Sequence, residues 1–328
     1  MTFTRMATRT AFVGAMALAA SAPTAFAQKW DMPMAYPATN FHSENAKDFA
    51  ACVKQATGGK IDIALHPGGS LFNGNDIKRA VQTGQAPIGE RLISAHANEN
   101  PLYGIDSVPF LASSFAASDK LWKAARSKLE AVLDKQNLVY VYAVPWPPQG
   151  LYFKKPIASV ADMKGIKFRA YNAATARLAA LTGMAPVQIE AAELSQALAT
   201  GVAEAFISSG STGVDSKVWQ QLTHFYDAQA WLPRNVVFAN KEAWGKLDGA
   251  TQTAIKGCGD KAAESGAKKS ADLTAGYLKT LADNGMKVQA PSDALKAELA
   301  KIGQTMTEEW LKSAGADGKA IVDAFNAK

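Results

Sequence analysis

The sequence has few of the residues that most often bind metals or perform chemistry, with two cysteines and four histidines in 328 residues. The histidines are scattered, and neither H-E-x-x-H nor a paired-cysteine spacing occurs, so we expect no zinc site. The G-x-S-x-G, Walker and G-x-G-x-x-G motifs are missing, which leaves a hydrolase, a nucleotide enzyme or a dehydrogenase without support. We therefore expect neither a metal nor another cofactor.

The two cysteines, Cys52 and Cys258, lie far apart in the sequence, in segments predicted to be helical. An exported protein can form a disulfide, so a bond between them is one interpretation. The other is that they are two separate small buried side chains. Neither has neighbours that would lower its pKa, which argues against a catalytic cysteine.

Long apolar runs are missing beyond the N-terminus. Residues 1–27 have the pattern of a cleaved signal peptide: Arg5 and Arg9 come first, residues 11–20 (AFVGAMALAA) are apolar, and residues 25–27 (AFA) match a signal-peptidase site. The apolar run is too short to span a bilayer. We expect cleavage after Ala27 and export, which means the periplasm in a Gram-negative bacterium.

The sequence also lacks a strong charge of either sign. Its formal net charge is +6, and two of these charges belong to the predicted signal peptide. No arginine-rich stripe or interleaved aromatic patch occurs, so nucleic acid is not an expected partner. A weak positive charge suits small anionic ligands.

The order of predicted elements indicates an α/β fold. Strands and helices alternate through residues 30–145, beginning with a strand over 30–36 and a helix over 43–57 that Ser43 would cap. This order is typical of a mainly parallel sheet flanked by helices. A second alternating unit and a helical C-terminal part follow, with an extended segment predicted at 105–111 and a last helix at 293–314. No repeat or free linker occurs, which favours two lobes crossed more than once by the chain.

Arg169 ends a short predicted strand, residues 165–169, just before a helix. Ligands of α/β proteins usually bind at the carboxyl ends of strands. A guanidinium at that place offers two parallel donors to a carboxylate. The alternative is an ordinary surface arginine, since arginine is mostly exposed.

Other polar residues follow predicted strands or turns. Glu90 and Arg91 end a short strand and are either ligand contacts or a surface ion pair. Phe72 and Asn73 follow a glycine turn and open a helix, where free N–H groups favour anions. The alternative for Asn73 is a simple N-cap. Asn172 caps the helix beside Arg169 and can also contact a ligand.

A small hydroxyl set ends another predicted strand, residues 204–208. Ser208, Ser209 and Thr212 suit hydrogen bonds to ligand oxygens, and the alternative is ordinary turn chemistry.

Four segments share short motifs with one known family. Residues 58–61 (GGKI) match T-G-G-x-I, and residues 67–72 (PGGSLF) match P-x-x-x-L-G with Phe72 in place of glycine. Residues 162–169 (DMKGIKFR) match D-M-K-G-L-K-x-R closely, and residues 193–201 (ELSQALATG) match E-x-x-x-A-L-Q-x-G. Over almost the whole mature chain, the sequence thus resembles the solute-binding receptors of tripartite ATP-independent periplasmic (TRAP) transporters, the DctP type.

The resemblance implies a fold of two α/β lobes around a ligand cleft, with several crossings between them and long helices backing both. We expect lobe I to comprise residues 28–145 and about 233–285, and lobe II residues 146–232 and about 286–328. The lobes would close over a ligand that is then handed to the small and large membrane subunits of the permease. Arg169 takes the place of the arginine that binds the ligand carboxylate, and Asn240 that of an asparagine after a late strand.

The pocket residues depart from the sialic-acid branch of that family. Gln149 stands where that branch has a second arginine, and Ala191 where it has an aromatic residue. Trp146, among three prolines, and Trp219 are candidate aromatic walls, and the alternative for both is a core or hinge role. An apolar slot with one carboxylate clamp suits a compact or aromatic carboxylic acid, including 2-oxo and 2-hydroxy acids.

The sequence therefore predicts a periplasmic TRAP receptor for a small organic acid that does no chemistry. The first alternative is a receptor for an ATP-driven importer or a sensor kinase. The second is a secreted enzyme on a two-lobed scaffold, against which the missing nucleophile and metal motifs count.

Overall fold

The computed structural model describes residues 1–2 and 27–327. The predicted signal peptide, residues 1–27, lies outside the described residues except at its two ends. The described strands are, in chain order, β1 (Gln28–Pro33), β2 (Ile61–His66), β3 (Ile88–Leu92), β4 (Leu138–Pro145), β5 (Gln149–Phe153), β6 (Lys167–Ala170), β7 (Ala185–Gln188), β8 (Ala205–Ser209), β9 (His224–Tyr226), β10 (Arg234–Asn240) and β11 (Lys287–Gln289). The described α-helices are α1 (Phe41–Ala56), α2 (Ile77–Gln82), α3 (Phe115–Lys135), α4 (Ala173–Leu181), α5 (Leu194–Ala199), α6 (Gly210–Asp215), α7 (Lys241–Gly245), α8 (Gly249–Asp283) and α9 (Asp293–Asn326).

The strands divide between two regions of the fold. In the first, β1 pairs with β2 in parallel, and an antiparallel sheet has the order β3-β10-β4. A single bridge between Met34 and Glu90 connects the two pairings. In the second region, one sheet of six strands has the order β11-β9-β5-β8-β6-β7. The α/β class and the two-lobed fold predicted from the sequence are confirmed.

The expectation of a mainly parallel sheet in the first region was wrong. β10 returns from the second region and inserts between β3 and β4, antiparallel to both. Its run of β-branched and aromatic residues identifies a buried strand but carries no information on direction. In the six-stranded sheet, β6 runs parallel to β7 and β8, so the carboxyl ends of these three strands share one edge.

The chain crosses between the regions after β4, after β9 and through α8. We propose that the lobes divide as these sheets do, at the boundaries expected from the sequence. The two longest helices belong to both lobes by their packing. α8 contacts α1 and β4 as well as α6 and β11, and α9 contacts α3 and α4.

Local capping explains three differences from the predicted elements. α1 begins at Phe41 because the side chain of Asn40, and not of Ser43, accepts a hydrogen bond from the N–H of His42, at 2.9 Å. Part of the predicted extended segment at 105–111 lies in a 3₁₀ helix, Pro101–Ser107, which starts on a proline and is capped by Asn100. α9 continues to Asn326 past a kink at Gly315, whose φ of 59° suits glycine.

The two cysteines form a disulfide between α1 and α8, with their Cα atoms 5.8 Å apart. Of the two interpretations left open by the sequence, the structure supports the bond. It joins residues 206 positions apart in the chain. No helix among the described residues combines the length and the apolar character that a membrane crossing requires.

Candidate ligand-binding site

A cavity lies between the two regions of the fold. It contains ≈ 400 Å³ of empty space, the open solvent at its mouth included. The first wall comes from β3 and from segments next to β1 and β4, with Tyr36, Arg91, Leu92 and Trp146. The second wall belongs to the six-stranded sheet and its loops, with Gln149, Arg169, Tyr171, Glu190, Ala191, Ser208 and Thr212. Pro233, just before β10, completes the lining.

Arg169 lies near the carboxyl end of β6 and is 3% exposed. Its Nε donates to the carbonyl of Ile189 at 2.9 Å, and its guanidinium carbon lies 5.1 Å from the centre of the Tyr171 ring. Among the described residues, Arg169 has no other side-chain hydrogen bond and no ion pair. The two terminal nitrogens therefore remain available for a carboxylate.

The charge of Arg169 is held in a poorly solvated place. Burial lowers the pKa of its guanidinium from the usual value, nearby Glu190 and Tyr171 oppose this change, and Arg91 adds to it. A guanidinium stays protonated in proteins despite such changes. A bound carboxylate would supply the counter-charge that this site lacks.

Arg91, in contrast, is already paired. Its Nη2 donates to Glu190 Oε1 at 3.0 Å and to Asn75 Oδ1 at 2.8 Å. Arg91 belongs to β3 of the first wall, whereas Glu190 follows β7 in the second. The pair therefore crosses the cleft at the cavity's edge.

Aromatic rings cover the apolar part of the cavity. Trp146 packs against Tyr36 with ring centres 4.7 Å apart, and against His42 with ring centres 4.4 Å apart. Its Nε1 donates to Asn235 Oδ1 at 2.8 Å, which fixes the plane of the indole. Burial raises the pKa of Tyr36 to about 12, so this tyrosine lines the cavity as a neutral phenol.

Gln149 belongs to a hydrogen-bond chain on the second wall. Its Nε2 donates to the carbonyl of Pro147 at 3.0 Å, and its Oε1 accepts from the Tyr171 hydroxyl at 3.1 Å. The Trp231 indole N–H in turn donates to Tyr171 at 3.1 Å. These bonds leave one N–H of the Gln149 amide for a ligand, so its main role is to hold Tyr171 in place.

The hydroxyl set divides between the cavity and a helix cap. Ser208 donates to Thr212 at 2.8 Å, and both line the cavity. Ser209 is fully buried and caps α6 by accepting from the Thr212 N–H. It therefore lies outside the cavity lining and orients Thr212.

Several residues predicted for the site lie behind or beside the cavity. Glu90 is buried behind the first wall, where its Oε1 lies 3.4 Å from His42 Nδ1. Asn172 caps α4 and spends both amide hydrogens on Ser94 and Ser107, at 3.0 and 3.3 Å. Its role is a contact between the two regions of the fold.

Four further predicted residues lie elsewhere. Asn73 lines an outer cleft beside the cavity, together with Gly74, Glu190 and Glu193, and Phe72 packs against the core. Asn240 caps α7 and donates to the carbonyl of Val81 at 2.9 Å. Its hydrogen-bond partners do not line the cavity. Trp219 packs against the core of the second region. The prediction that Asn240 and Trp219 contact the ligand therefore differs from the structure, in which both residues have structural positions.

Tyr36 and Glu190 line the cavity, although the sequence reasoning did not select them. Glu190 follows β7, which pairs with β6, the strand of Arg169. The rule that selected Arg169 would have selected Glu190 as well. Tyr36 lies just past the carboxyl end of β1, so the same rule would have selected it. Ala191 also lines the cavity, and its small side chain leaves that part open.

Within residues 1–2 and 27–327, no group of three or more histidine, cysteine, aspartate or glutamate side chains is placed to hold a metal ion.

Comparisons with known proteins identify relatives of the whole chain. A marine metagenome TRAP solute-binding protein from an unidentified microbe, described as specific for pyroglutamate and solved with co-purified pyroglutamate, is 59% identical. Its TM-score is 0.90, over 91% of this chain and 98% of that one. DctP6, an extracytoplasmic solute receptor of Bordetella pertussis that binds pyroglutamic acid, is 48% identical with a TM-score of 0.90, over 92% and 100% of the two chains.

Among curated proteins, the outer membrane transporter protein TsaT of Comamonas testosteroni is 25% identical over 294 residues, 86% of either chain. The model of the bacterial extracellular solute-binding proteins of family 7, DctP, matches residues 33–313. The predicted receptor of a TRAP transporter is thereby confirmed over its alternatives. The chain belongs to the DctP family of bacterial extracellular solute-binding proteins.

Proposed function

We propose that this receptor captures a small cyclic monocarboxylate in the periplasm, with pyroglutamate as the leading candidate. The observation that carries the proposal is the buried Arg169, whose terminal nitrogens line an aromatic-walled cavity without a partner among the described residues. Two relatives at 59% and 48% identity are described as binding pyroglutamate, which supports the choice of ligand.

The chemistry of the walls suits such a ligand. A carboxylate would accept two hydrogen bonds from Arg169. A compact ring would pack between Trp146 and the tyrosines, where it displaces water from apolar surface. The polar ring atoms would find the hydroxyls of Ser208 and Thr212 and the remaining amide hydrogen of Gln149.

The ligand would then pass to the membrane subunits of a TRAP permease. Solute-binding families of this kind serve transport, and we propose that the receptor does not transform its ligand. Two membrane subunits encoded nearby without an ATPase would support this partner. Turnover of the bound acid would instead revive the secreted enzyme.

The experiment is a binding titration of purified protein freed of retained ligand. We expect pyroglutamate to raise the unfolding free energy by about 2.7 kcal/mol at one hundred times its Kd. Arg169→Ala should remove this stabilisation while the circular dichroism spectrum is kept. Arg177→Ala is the matched control, because Arg177 is an exposed arginine paired with Glu309.

Undiminished binding by Arg169→Ala would overturn the proposed site. Arg169→Lys should also bind at least about tenfold more weakly, because an ammonium cannot form the two parallel bonds. Native mass spectrometry of freshly purified protein would identify a retained acid directly.

A further inference from the structure

The ion pair between Arg91 and Glu190 is built into the cavity's edge. The side chain of Arg91 is 3% exposed and that of Glu190 17%, so water screens the pair only weakly. Arg91 belongs to β3 and Glu190 follows β7 of the other sheet, 99 residues away in the chain. The pair is therefore a product of the closed fold and forms part of the boundary between the cavity and the outer cleft.

Gly74 makes room for this pair. An ideal Cβ at Gly74 would collide with Glu190 Oε2 and lie 2.7 Å from Arg91 Nη1. Asn75, the next residue, accepts from the same guanidinium at 2.8 Å. The loop between β2 and α2 is thus shaped around the side chains of Arg91 and Glu190. Asn75 and Glu190 together hold the Arg91 guanidinium in one orientation.

The cavity lining contains three charged side chains, Arg91, Arg169 and Glu190. Glu190 neutralises Arg91, so one positive charge is left, that of Arg169. Tyr36 and Tyr171 are buried phenols and add no charge. The lining therefore matches a ligand with one negative charge.

We propose that Glu190 is a specificity-determining residue that restricts the cavity to monocarboxylates by occupying Arg91. The inference rests on the proposed function of the same site and adds the reason for its charge selectivity. A dicarboxylate would have to compete with Glu190 for Arg91 or place its second carboxylate beside that of Glu190. In a poorly solvated site, either arrangement weakens binding by at least about 100-fold.

The test measures the affinities of L-pyroglutamate, succinate and glutarate by calorimetry. The wild-type protein should bind pyroglutamate at least about 100-fold more tightly than either dicarboxylate. Glu190→Gln keeps the size and one acceptor for Arg91 but removes the charge. It should gain at least about tenfold in affinity for glutarate or succinate, because Arg91 becomes available to a second carboxylate.

Glu193→Gln is the matched control. Glu193 is exposed, lines the outer cleft three residues away and has no ion pair within the described part of the chain. The same change of charge there should leave the ratio of the affinities within about twofold of the wild-type value.

A second variant pair separates charge balance from a merely structural bridge. Arg91→Gln leaves Glu190 uncompensated and should weaken pyroglutamate binding at least about 30-fold. Arg91→Gln combined with Glu190→Gln restores the single positive charge and should recover most of that loss. A bridge that only holds the lobes together would leave the double variant as weak as Arg91→Gln.

The outcomes distinguish this inference from the proposed function. If the wild-type protein binds no monocarboxylate, the proposed function fails first. If it binds pyroglutamate but Glu190→Gln gains no dicarboxylate affinity, only the inference is overturned. A double variant no better than Arg91→Gln would overturn it as well.

Discussion

The two walls of the cavity each contribute one buried arginine, and the two arginines have opposite surroundings. Arg91 of the first wall has a carboxylate and an amide oxygen as partners. Arg169 of the second wall has one backbone carbonyl and the face of Tyr171. The comparison teaches that the same side chain is paired within the fold on one wall and, as we propose, left for the ligand on the other.

The difference has an energetic consequence for the empty receptor. Burying a guanidinium without a counter-charge costs free energy, which a paired guanidinium partly recovers. On the first wall, Glu190 supplies the counter-charge to Arg91 when the protein folds. On the second wall, we propose that a bound anion supplies the counter-charge to Arg169. Stability and affinity should therefore respond in opposite ways to the removal of the two charges.

The largest effect on stability is expected from Arg91→Met. It leaves the mostly buried carboxylate of Glu190 without its cation, which should lower the free energy of unfolding of the ligand-free protein by about 3 kcal/mol. Urea denaturation checks this value. The double variant Arg91→Met, Glu190→Gln should regain much of the lost stability. An equal loss in the single and the double variant would contradict the argument that Glu190 needs Arg91 as its cation.

A smaller effect is expected where Asn172 connects the two regions of the fold. Asn172→Ser keeps a hydroxyl that can cap α4 but cannot reach Ser94 and Ser107. The closed receptor should lose about 1 kcal/mol, and ligand affinity should fall about fivefold to tenfold by calorimetry.

Asn240→Ser is the control for that variant, because Asn240 caps α7 in the same way but donates to Val81 within the first region. It should reduce stability without changing ligand affinity. Equal losses of affinity in both serine variants would show that the bonds of Asn172 have no special part in closure.

Arg169→Met tests the comparison through an expected gain in the stability of the ligand-free protein. Replacing an unpaired buried charge by an apolar side chain of similar length should leave the ligand-free protein as stable as before or more stable by about 1 kcal/mol. It should bind no ligand. A loss of stability as large as that of Arg91→Met would mean that the two arginines are structurally equivalent.

The smallest effect concerns pH. Burial raises the pKa of Tyr36 to about 12, and burial lowers the pKa of His42 behind Trp146, so both groups stay neutral around pH 7. The ligand carboxylate titrates near pH 4. Affinity should therefore change less than about twofold between pH 6 and pH 9. A steep fall in affinity as the pH rises from 6 to 7 would show that the first wall loses a positive charge over that range.

Much of the site's chemistry was predictable because it depends on neighbours in the sequence. Arg169 at the end of β6 and Asn172 as the cap of α4 follow from a strand, a turn and a helix start within ten residues. Trp146, a candidate aromatic wall, lines the cavity. Asn240 caps α7, and Asn172 caps α4 and connects the two regions of the fold, so a polar residue at a strand end is not always a ligand contact.

The remaining features of the site required the tertiary structure. The direction of β10, the ion pair of Arg91 with Glu190 and the disulfide between Cys52 and Cys258 each join segments far apart in the chain. Each depends on which distant segments the fold brings together.

The sequence alone determined the α/β class, most element boundaries, the family and the arginine that we propose binds the ligand carboxylate. These properties depend on periodicity, capping and short motifs, which act over a few residues. The tertiary structure decided which of the two cavity arginines has no charged partner among the described residues, because a partner for a buried charge can come from any part of the chain that the fold brings within 4 Å.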